Sequence, residues 1–397
     1  DKVFGENTDG METFEKDGHV LLAINSEYVN PKINLPAETE GVPQTAEQVQ
    51  MLKNMQGVTV VEVADQGEGW RVVVDSPFNR RITHDTQMTM SGPAAGSDLV
   101  KTNADPAGMS PLGTMNNCGS GKTLWGTYLT CEENFNGYFG TTQEREATAE
   151  EKRYGIGGEG RYAYEKFDPR YDLSVEPNEP HRHGWITEID PTDPNSTPVK
   201  HTALGRFKHE NAEMVQAADG RIVVYMGDDE RGEFMYKYVS NGTWAPGQPT
   251  EGLLSDGTLY VAKFHDDQTG EWLALTPETT GMSIEDILVF SRLAGSKVGA
   301  TTMDRPEWIA AHPHRAEAYC ALTNNKNRGV KTNAGGDETP VGGPNPRETN
   351  RYGQIVRWKP EGDDHGAAKF AWDLYVMAGN PDVYDNAYGG SDNVTAG

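Results

Sequence analysis

Residues 219–229 read DGRIVVYMGDD: an Asp-Gly turn, a run of β-branched and aromatic residues, and a second acidic turn. Residues 256–263, DGTLYVAK, repeat the first part of this plan. Asp and Gly favour turns, and the residues between them favour strands. Such imperfect recurrences are typical of β-propellers, in which each blade is a small antiparallel sheet. We predict an all-β fold, a β-propeller with six as the expected number of blades, and rank an array of β-sandwiches second.

Turn and strand residues alternate in the same way along the rest of the chain, with few helical patterns and no linker that would separate domains. We therefore expect one domain over residues 1–397, with a few short helices and loop insertions. The predicted helices are 45–55 and 283–291, and the predicted core-free loops are 141–159 and 328–350. The predicted strands are 19–25, 58–63, 70–75, 123–131, 184–190, 221–227, 234–239, 258–264, 271–275, 318–323 and 354–359.

The chain of 397 residues carries 35 Lys and Arg against 60 Asp and Glu, a net charge of −25. Nucleic-acid binding requires clustered basic residues, so we expect no nucleic-acid partner. The apolar runs have the length of strands and are too short to span a bilayer, so no transmembrane segment is expected. The acidic residues are either a solvating surface or, where they converge, a site for cations.

The densest polar cluster is residues 116–121, NNCGSG, followed by residues 130–134, TCEEN. A Gly-rich turn lets the backbone approach an ion, and a thiolate beside carboxylates and amides combines soft and hard ligands. A satisfied turn with a buried cysteine explains the pattern equally well. Cys320, by contrast, lies in an apolar segment and is expected to be a small buried residue.

Similar acidic segments occur at 207–213, FKHENAE, and at 227–233, GDDERGE, on either side of one predicted strand. In a propeller, carboxylates from different blades can converge on ions in the central channel. Residues 303–308, MDRPEW, add a cation: in an extended segment, Arg305 and Glu307 would lie on one face. An Arg beside metal-bound carboxylates suits a phosphate group, although a surface ion pair is the alternative.

Several common catalytic motifs are missing, namely the His-Glu-x-x-His zinc motif, the Gly-x-Ser-x-Gly elbow and a complete phosphate-binding Walker loop. The paired histidines His181 with His183 and His312 with His314 could bind zinc. They lie in Pro-containing segments, so we expect them to face solvent.

Blocks of residues spread over nearly the whole chain resemble the PhoX-type alkaline phosphatases. The resemblance runs from Asn7-Thr8-Asp9-Gly10-Met11 to Asp392-Asn393. Between these ends lie 91–96 (SGPAAG), 113–118 (GTMNNC), 125–134 (WGTYLTCEEN), 208–211 (KHEN), 227–229 (GDD) and 304–307 (DRPE).

The resemblance implies a β-propeller that hydrolyses phosphomonoesters at a cluster of iron (Fe3+) and calcium (Ca2+) ions in its channel. It also implies twin-arginine (Tat) export to the periplasm or the cell exterior, and we expect a monomer. Arg305 corresponds to the residue that binds the phosphate, and Cys118 to the thiolate on iron, with Cys131 the alternative. The implied carboxylate ligands are Glu133, Glu210, Asp229 and Glu307.

The sequence departs from the family pattern in three places. Family members begin upstream of Asp1, and they continue past Asn393 to a Ser-Pro-Asp segment with a further ligand, so both flanks are expected to be lacking here. Ser26 stands where the family more often has His. Two other functions are weighed against a phosphatase: a non-catalytic extracellular propeller stabilised by calcium, and a lactonase-like calcium propeller, which would have no use for a thiolate.

Overall fold

The computed structural model describes residues 4–379 and 394–396. The described chain is mostly β with short helices, so the predicted all-β class is confirmed. It divides into two compact units, unit 1 (residues 1–202 and 206–212) and unit 2 (residues 203–205 and 213–397). The expectation of one domain over 1–397 stays a prediction. Asp392 and Asn393, the end of the resemblance, lie outside the described residues.

Unit 1 contains two sheets built from strands that follow one another along the chain. In the first sheet, β1 to β4 form an antiparallel meander, and β5 also pairs with β3. In the second, β7 to β10 form an antiparallel meander, and β6 lies parallel to β10. The strands are β1 (Thr8–Lys16), β2 (His19–Ser26), β3 (Gly57–Asp65), β4 (Trp70–Val72), β5 (Arg80–Ile82), β6 (Thr89–Ser91), β7 (Asn117–Lys122), β8 (Tyr128–Glu132), β9 (Ile186–Ile189) and β10 (Val199–His201).

Unit 2 repeats the four-stranded antiparallel meander twice, as β12 to β15 and as β16 to β19. The two meanders join where β15 pairs with β19. Strand β11 (His209–Gln216) crosses the unit boundary. The other strands are β12 (Arg221–Asp228), β13 (Met235–Thr243), β14 (Gly257–Phe264), β15 (Thr269–Ala274), β16 (Pro306–Ala311), β17 (Ala318–Leu322), β18 (Gln354–Pro360), β19 (Lys369–Gly379) and β20 (Val394–Ala396).

The helices are short and lie in the connections. The α-helices are α1 (Pro31–Asn34), α2 (Ala46–Asn54), α3 (Ala149–Arg153), α4 (Pro277–Thr280), α5 (Ile284–Val289) and α6 (Ser291–Lys297). The 3₁₀ helices are Ala37–Thr39, Asp98–Val100, Phe135–Tyr138, Tyr164–Lys166, Pro169–Tyr171, Glu179–Arg182, Thr202–Leu204 and Glu361–Asp363. Within the described residues, no helix combines the length and the apolar character needed to cross a bilayer.

The two helices predicted from capping patterns are present. Thr45 caps α2, and Ser283 caps α5, each by accepting a hydrogen bond from a backbone N–H in the first turn. The expectation of a loop without a core over 141–159 is wrong in its second half. Helix α3 begins with a reciprocal capping box of Thr148 and Glu151, and Tyr154 and Ile156 are buried. Residues 328–350 form a loop with isolated bridges, as expected, but the loop contributes buried polar residues, including Arg328, Asn345 and Asn350.

The predicted strand over 123–131 is wrong in its first half, because residues 123–127 form the turn of a hairpin. The Thr123 N–H donates to the Thr127 carbonyl at 3.0 Å, and Gly126 adopts a φ of +91°. Strands β7 and β8 lie on either side of this turn. The chain therefore enters the polar cluster through a hairpin, with residue 118 in its first strand.

Each unit has its own apolar core. In unit 1, Phe14, Leu21, Val60 and Tyr128 belong to a buried cluster that covers one face of the first sheet. In unit 2, a larger cluster packs both meanders together and includes the aromatic residues Tyr225, Trp272, Trp358 and Phe370. Cys320 is fully buried in this second cluster, as predicted. The polar segments described next are thus held at the ends of well-packed strands.

Candidate metal centre

Cys118 lies among four carboxylates in unit 1. Its Sγ is 3.4 Å from both carboxylate oxygens of Glu210 and 3.7 Å from Oδ2 of Asp9. An oxygen of Glu27 lies within 4.8 Å of this thiol and of the Asp9 carboxylate. An oxygen of Glu133 lies within 4.8 Å of one from Glu210. We call these five residues the thiol–carboxylate cluster.

A bulge in the β7–β8 hairpin places Cys118. Asn117 is opposite Glu132, but Ser120 is opposite Thr130, so β7 has one residue more than β8 in this interval. Such an extra residue bends the strand and redirects a side chain, and bulges are frequent beside active sites. The bulge turns the Cys118 side chain away from the regular alternation of the hairpin.

A glycine allows strand β11 to approach this bulge. A Cβ atom at Gly119 would lie 2.1 Å from the backbone carbonyl oxygen of Glu210, a distance that no side chain can occupy. Only glycine fits between the two backbones. The contact between Cys118 and Glu210 therefore depends on glycine at position 119.

Buried Asn25 fixes the backbone of the bulge. Its amide nitrogen donates to the carbonyl oxygens of Cys118, at 2.7 Å, and of Gly119, at 2.8 Å. Its amide oxygen accepts hydrogen bonds from the hydroxyls of Tyr128 and Thr130, both at 2.8 Å. All four contacts of the amide are satisfied inside unit 1, which holds the thiol in one position.

Asn116 joins the segments that carry Glu27 and Glu133. Its carbonyl accepts from the Glu133 N–H at 2.9 Å, and its amide oxygen accepts from the Asn134 N–H at 2.6 Å. Its amide nitrogen donates to the hydroxyl of Tyr138 at 3.2 Å. Asn116 has a φ of +49°, a left-handed conformation that is uncommon outside glycine. Strain of this kind persists where several contacts fix the backbone.

The electrostatics of the cluster favour a bound cation. Burial raises the pKa of Cys118 far above its ordinary value, and the charges of Glu210, Glu133, Glu27 and Asp9 raise it further. Burial also raises the pKa of Asp9. Carboxylates so close to one another repel, and a multivalent cation would remove this repulsion. The donor set therefore fits metal ions, with oxygen ligands for hard cations and a sulfur ligand for a transition metal.

Unit 2 carries a second polar group around Arg305. Its guanidinium Nη2 lies 2.7 Å from Oδ2 of Asp229 and 3.4 Å from Oε1 of Glu307. The Arg305 side chain is 23% exposed, and that of Asp229 is 7% exposed. An exposed surface ion pair, the alternative considered above, does not describe this half-buried arrangement.

The neighbour of Arg305 is anchored by the long segment after β17. Asp304 is fully buried and accepts from Arg328 Nε at 2.6 Å, from Asn325 at 2.8 Å and from Asn350 at 3.0 Å. The Asp304 N–H also donates to the Asn345 side chain at 2.9 Å. This part of residues 325–350 is thus a support that fixes the backbone from which Arg305 projects.

The sequence prediction placed Arg305 in an extended segment, and this is wrong. Arg305 has a φ of +51°, in the left-handed region, and strand β16 begins only at Pro306. The expected proximity of Arg305 and Glu307 is nevertheless present, through a kinked rather than an extended backbone. The anchoring of Asp304 explains how this conformation is maintained.

The predicted ligands fall into two sets. Cys118, Glu133 and Glu210 come together in unit 1, and Asp229 and Glu307 flank Arg305 in unit 2. Segment 207–213 was expected to precede a strand, but β11 already begins at His209. The first part of this strand could not be recognised from the sequence, because its residues are polar and lack the β-branched and aromatic side chains that are typical of strands.

The sequence interpretation missed Asp9, Glu27, Asn25 and Asp304. Asp9 and Glu27 meet because Thr8 pairs with Ser26 in the β1–β2 hairpin, and the Glu27 N–H donates to the Asn7 carbonyl at 3.0 Å. The signal was available in the Asn7–Met11 block, but strand β1 was not predicted. Pairing two polar segments across a hairpin would have identified both carboxylates.

The histidine pair at 181 and 183 does not face solvent as expected. His183 is fully buried between Glu179 and Lys200, with ring contacts of 3.2 and 3.1 Å. His181 is half-buried, and burial lowers its pKa to about 3. His314, in contrast, is exposed. Neither pair belongs to a metal-binding group within residues 4–379.

A family sequence model and a solved structure both match nearly the whole chain. The sequence pattern of the family described as "Alkaline phosphatase PhoX" matches residues 1–396. The structure of Pseudomonas fluorescens PhoX in complex with vanadate, a transition state analogue, is 48% identical with a TM-score of 0.91. The match covers 97% of this chain and 69% of that chain.

Two further comparisons found no close relative of the chain. No curated protein matches the chain. A structure of a protein of unknown function from Dyadobacter fermentans is 10% identical, with a TM-score of 0.27, over 80% of this chain and 73% of that chain. The match to the Pseudomonas structure, together with the repeated four-stranded meanders, confirms the predicted β-propeller fold. The number of six blades stays a prediction.

Proposed function

Since the chain belongs to the PhoX alkaline phosphatase family, it is a phosphomonoester hydrolase, and we propose that it acts through iron and calcium ions. The observation that carries this proposal is the buried thiol of Cys118 with carboxylates at 3.4 to 3.7 Å. A calcium-stabilised propeller without catalysis would need no thiol, and neither would a lactonase-like one. The family membership also favours the enzyme over both alternatives.

We propose Cys118, Glu133, Glu210, Asp229 and Glu307 as the metal ligands. Asp9 and Glu27 join them, because both lie within 4.8 Å of the Cys118 thiol. When bound, the ions would neutralise phosphoryl oxygens and activate water for in-line attack. The thiol has a raised pKa and holds its proton, so it becomes a ligand only on losing that proton to solvent.

Arg305 is proposed to bind the phosphoryl group. A guanidinium has five N–H donors in a planar fork, and here Nη2 is the nitrogen closest to Asp229 and Glu307. The fork matches two oxygens of a phosphate ester. The anchored backbone at Asp304 orients the side chain before substrate arrives, which reduces the entropy lost on binding.

Replacement of Arg305 tests this role. We expect Arg305→Ala to lower the turnover of p-nitrophenyl phosphate at least tenfold. The negative charge on the phosphoryl oxygens would lose the hydrogen bonds that the guanidinium donates to it. Arg357→Ala is the matched control: Arg357 is also 23% exposed and ion-paired, with Asp373 at 2.5 Å. Near-normal turnover in Arg305→Ala would remove this residue from the mechanism.

Metal content tests the ligand assignment. Elemental analysis should find iron and calcium in the wild-type protein, and a chelator should abolish phosphatase activity. Cys118→Ser should lose iron, whereas Cys131→Ser, also at a buried cysteine, should retain it. Iron retained in Cys118→Ser and lost in Cys131→Ser would transfer the role to Cys131. Calcium without iron, and no activity, would support the non-catalytic alternative.

The family resemblance also supports a location and an assembly state. We propose that the protein is exported by the twin-arginine route, acts in the periplasm or outside the cell, and is a monomer that releases phosphate from small esters. Cell fractionation of a tagged full-length protein and sedimentation of the purified protein test these two points. Activity confined to the cytoplasm would contradict the first, and a stable dimer the second.

A further inference from the structure

Arg161 is an exposed cation in unit 1 that has no role in the reaction described above. Its guanidinium carbon lies 5.2 Å from the ring centre of Tyr162 and 5.8 Å from that of Tyr28. Within residues 4–379, the guanidinium takes part in no hydrogen bond or ion pair that would occupy its donors. The side chain is therefore held by two aromatic rings while its N–H groups face solvent.

The two rings connect Arg161 to the thiol–carboxylate cluster. Tyr28 follows Glu27 in sequence, and the Glu27 carboxylate lies within 4.8 Å of the Cys118 thiol. Tyr162 is buried and stacks on Tyr138, with 4.9 Å between ring centres. These contacts place an exposed cation beside the segment that carries Glu27.

Asn116 also links the tyrosines beside Arg161 to the segment that carries Cys118. The Tyr138 hydroxyl accepts a hydrogen bond from Asn116 at 3.2 Å, and Asn116 lies two residues before Cys118. The Arg161 N–H donates to the Gly137 carbonyl at 2.8 Å, which fixes the backbone of the residue. Arg161 is thus positioned by the same segments that position the cluster, rather than by a separate loop.

We propose that Arg161 binds a second anionic group on the substrate and makes the enzyme prefer phosphomonoesters whose leaving group carries a carboxylate or another phosphate. This inference rests on the proposed function, because it requires the phosphoryl group to bind at the cluster. The leaving group would then lie on the solvent side, where Arg161 offers an exposed cation.

A cation at this position would offset the electrostatic repulsion between the acidic protein and an anionic leaving group. A net charge of −25 and the carboxylates of the cluster repel an ester that carries extra negative charge. An Arg side chain that is already packed against aromatic rings loses little conformational freedom when it forms bidentate hydrogen bonds with a carboxylate. An exposed pair of this kind changes binding by up to about fivefold.

Two esters that differ in one group test the proposal. Glycerol 3-phosphate and 3-phosphoglycerate have the same phosphate position, but only the second carries a carboxylate. We expect Arg161→Gln to lower the ratio of kcat/KM for 3-phosphoglycerate to that for glycerol 3-phosphate about fivefold. Arg161→Lys should retain most of the ratio, because it keeps the charge.

Lys166→Gln is the control for lost charge, since Lys166 is an exposed cation in the same segment and is paired with Glu159 at 2.9 Å. It should leave the ratio unchanged. An unchanged ratio in Arg161→Gln, or an equal loss with both esters, would overturn the role of Arg161 and leave the phosphatase intact. Failure of the wild-type protein to hydrolyse p-nitrophenyl phosphate would overturn the proposed function itself, whereas activity on that ester and on neither of these two would overturn the preference assigned to Arg161.

Discussion

Two adjacent glutamates in unit 1 have different roles, because their side chains have different partners. Glu132 is fully buried, with Lys200 Nζ at 2.7 Å and the backbone N–H of Gly184 at 2.9 Å. Burial by itself would raise the pKa of Glu132, but the charge and hydrogen bond of Lys200 together with those of His183 lower it to about 2. Glu132 is therefore a neutralised structural anion, whereas Glu133, the next residue, lies with the other carboxylates of the cluster.

Lys237 gives a prediction about pH and stability. It is buried, donates to the Ala367 carbonyl at 2.7 Å and lies 5.1 Å from the Trp272 ring centre. Burial lowers its pKa from 10.5 to about 7. Between these values the unfolded chain binds a proton that the folded protein has released, so the free energy of unfolding rises with pH.

The expected rise between pH 7 and pH 10 is on the order of 3 kcal/mol. Urea denaturation of wild type and of Lys237→Met at both pH values measures it as the difference between the two proteins. In Lys237→Met this contribution should vanish, and stability at pH 7 should increase. The exposed Lys369 supplies the control Lys369→Met, which should behave as wild type. An equal rise in Lys237→Met and wild type would contradict the assignment.

At the scale of elements, the position of the metal ligands depends on how closely two strands approach. Strand β7 meets the backbone of β11 at Gly119, where a Cβ atom would lie 2.1 Å from the Glu210 carbonyl. We expect Gly119→Ala to separate these strands, to lower the free energy of unfolding by about 1–3 kcal/mol and to reduce phosphatase activity at least tenfold. Urea denaturation and p-nitrophenyl phosphate turnover measure both effects.

Gly137→Ala is the matched substitution for this test. A Cβ atom at Gly137 would meet nothing closer than 3.5 Å, so stability and turnover should stay near the wild-type values. If Gly119→Ala behaved like Gly137→Ala, the close approach of the two strands would not be what positions Glu210.

The elements that could be read from the sequence are those with ordinary composition. Strand β12, with buried Val223 and Tyr225, and helix α2, with its Thr45 cap, follow standard patterns. Strands β1 and β11 are rich in polar residues and could not be recognised in this way, although they carry Asp9 and Glu210. Their polar side chains are stabilised by contacts with distant segments, which a local pattern does not contain.

At the scale of the whole molecule, a bound cation should stabilise unit 1 more than unit 2. Without a cation, the closely spaced carboxylates around Cys118 repel one another. We expect chelation to increase amide hydrogen exchange in β7 and β8 more than in β13 and β18, which lie in the apolar core of unit 2. Equal protection in all four strands before and after chelation would show that the ions do not support unit 1.

The members of the thiol–carboxylate cluster are far apart in sequence: 109 residues separate Asp9 from Cys118, and 92 separate Cys118 from Glu210. Closing two such long loops costs conformational entropy before the contacts form, so we expect the cluster to assemble late in folding. We therefore expect metal ions to bind after unit 1 has folded. Bound ions would then slow unfolding and leave the rate of folding almost unchanged.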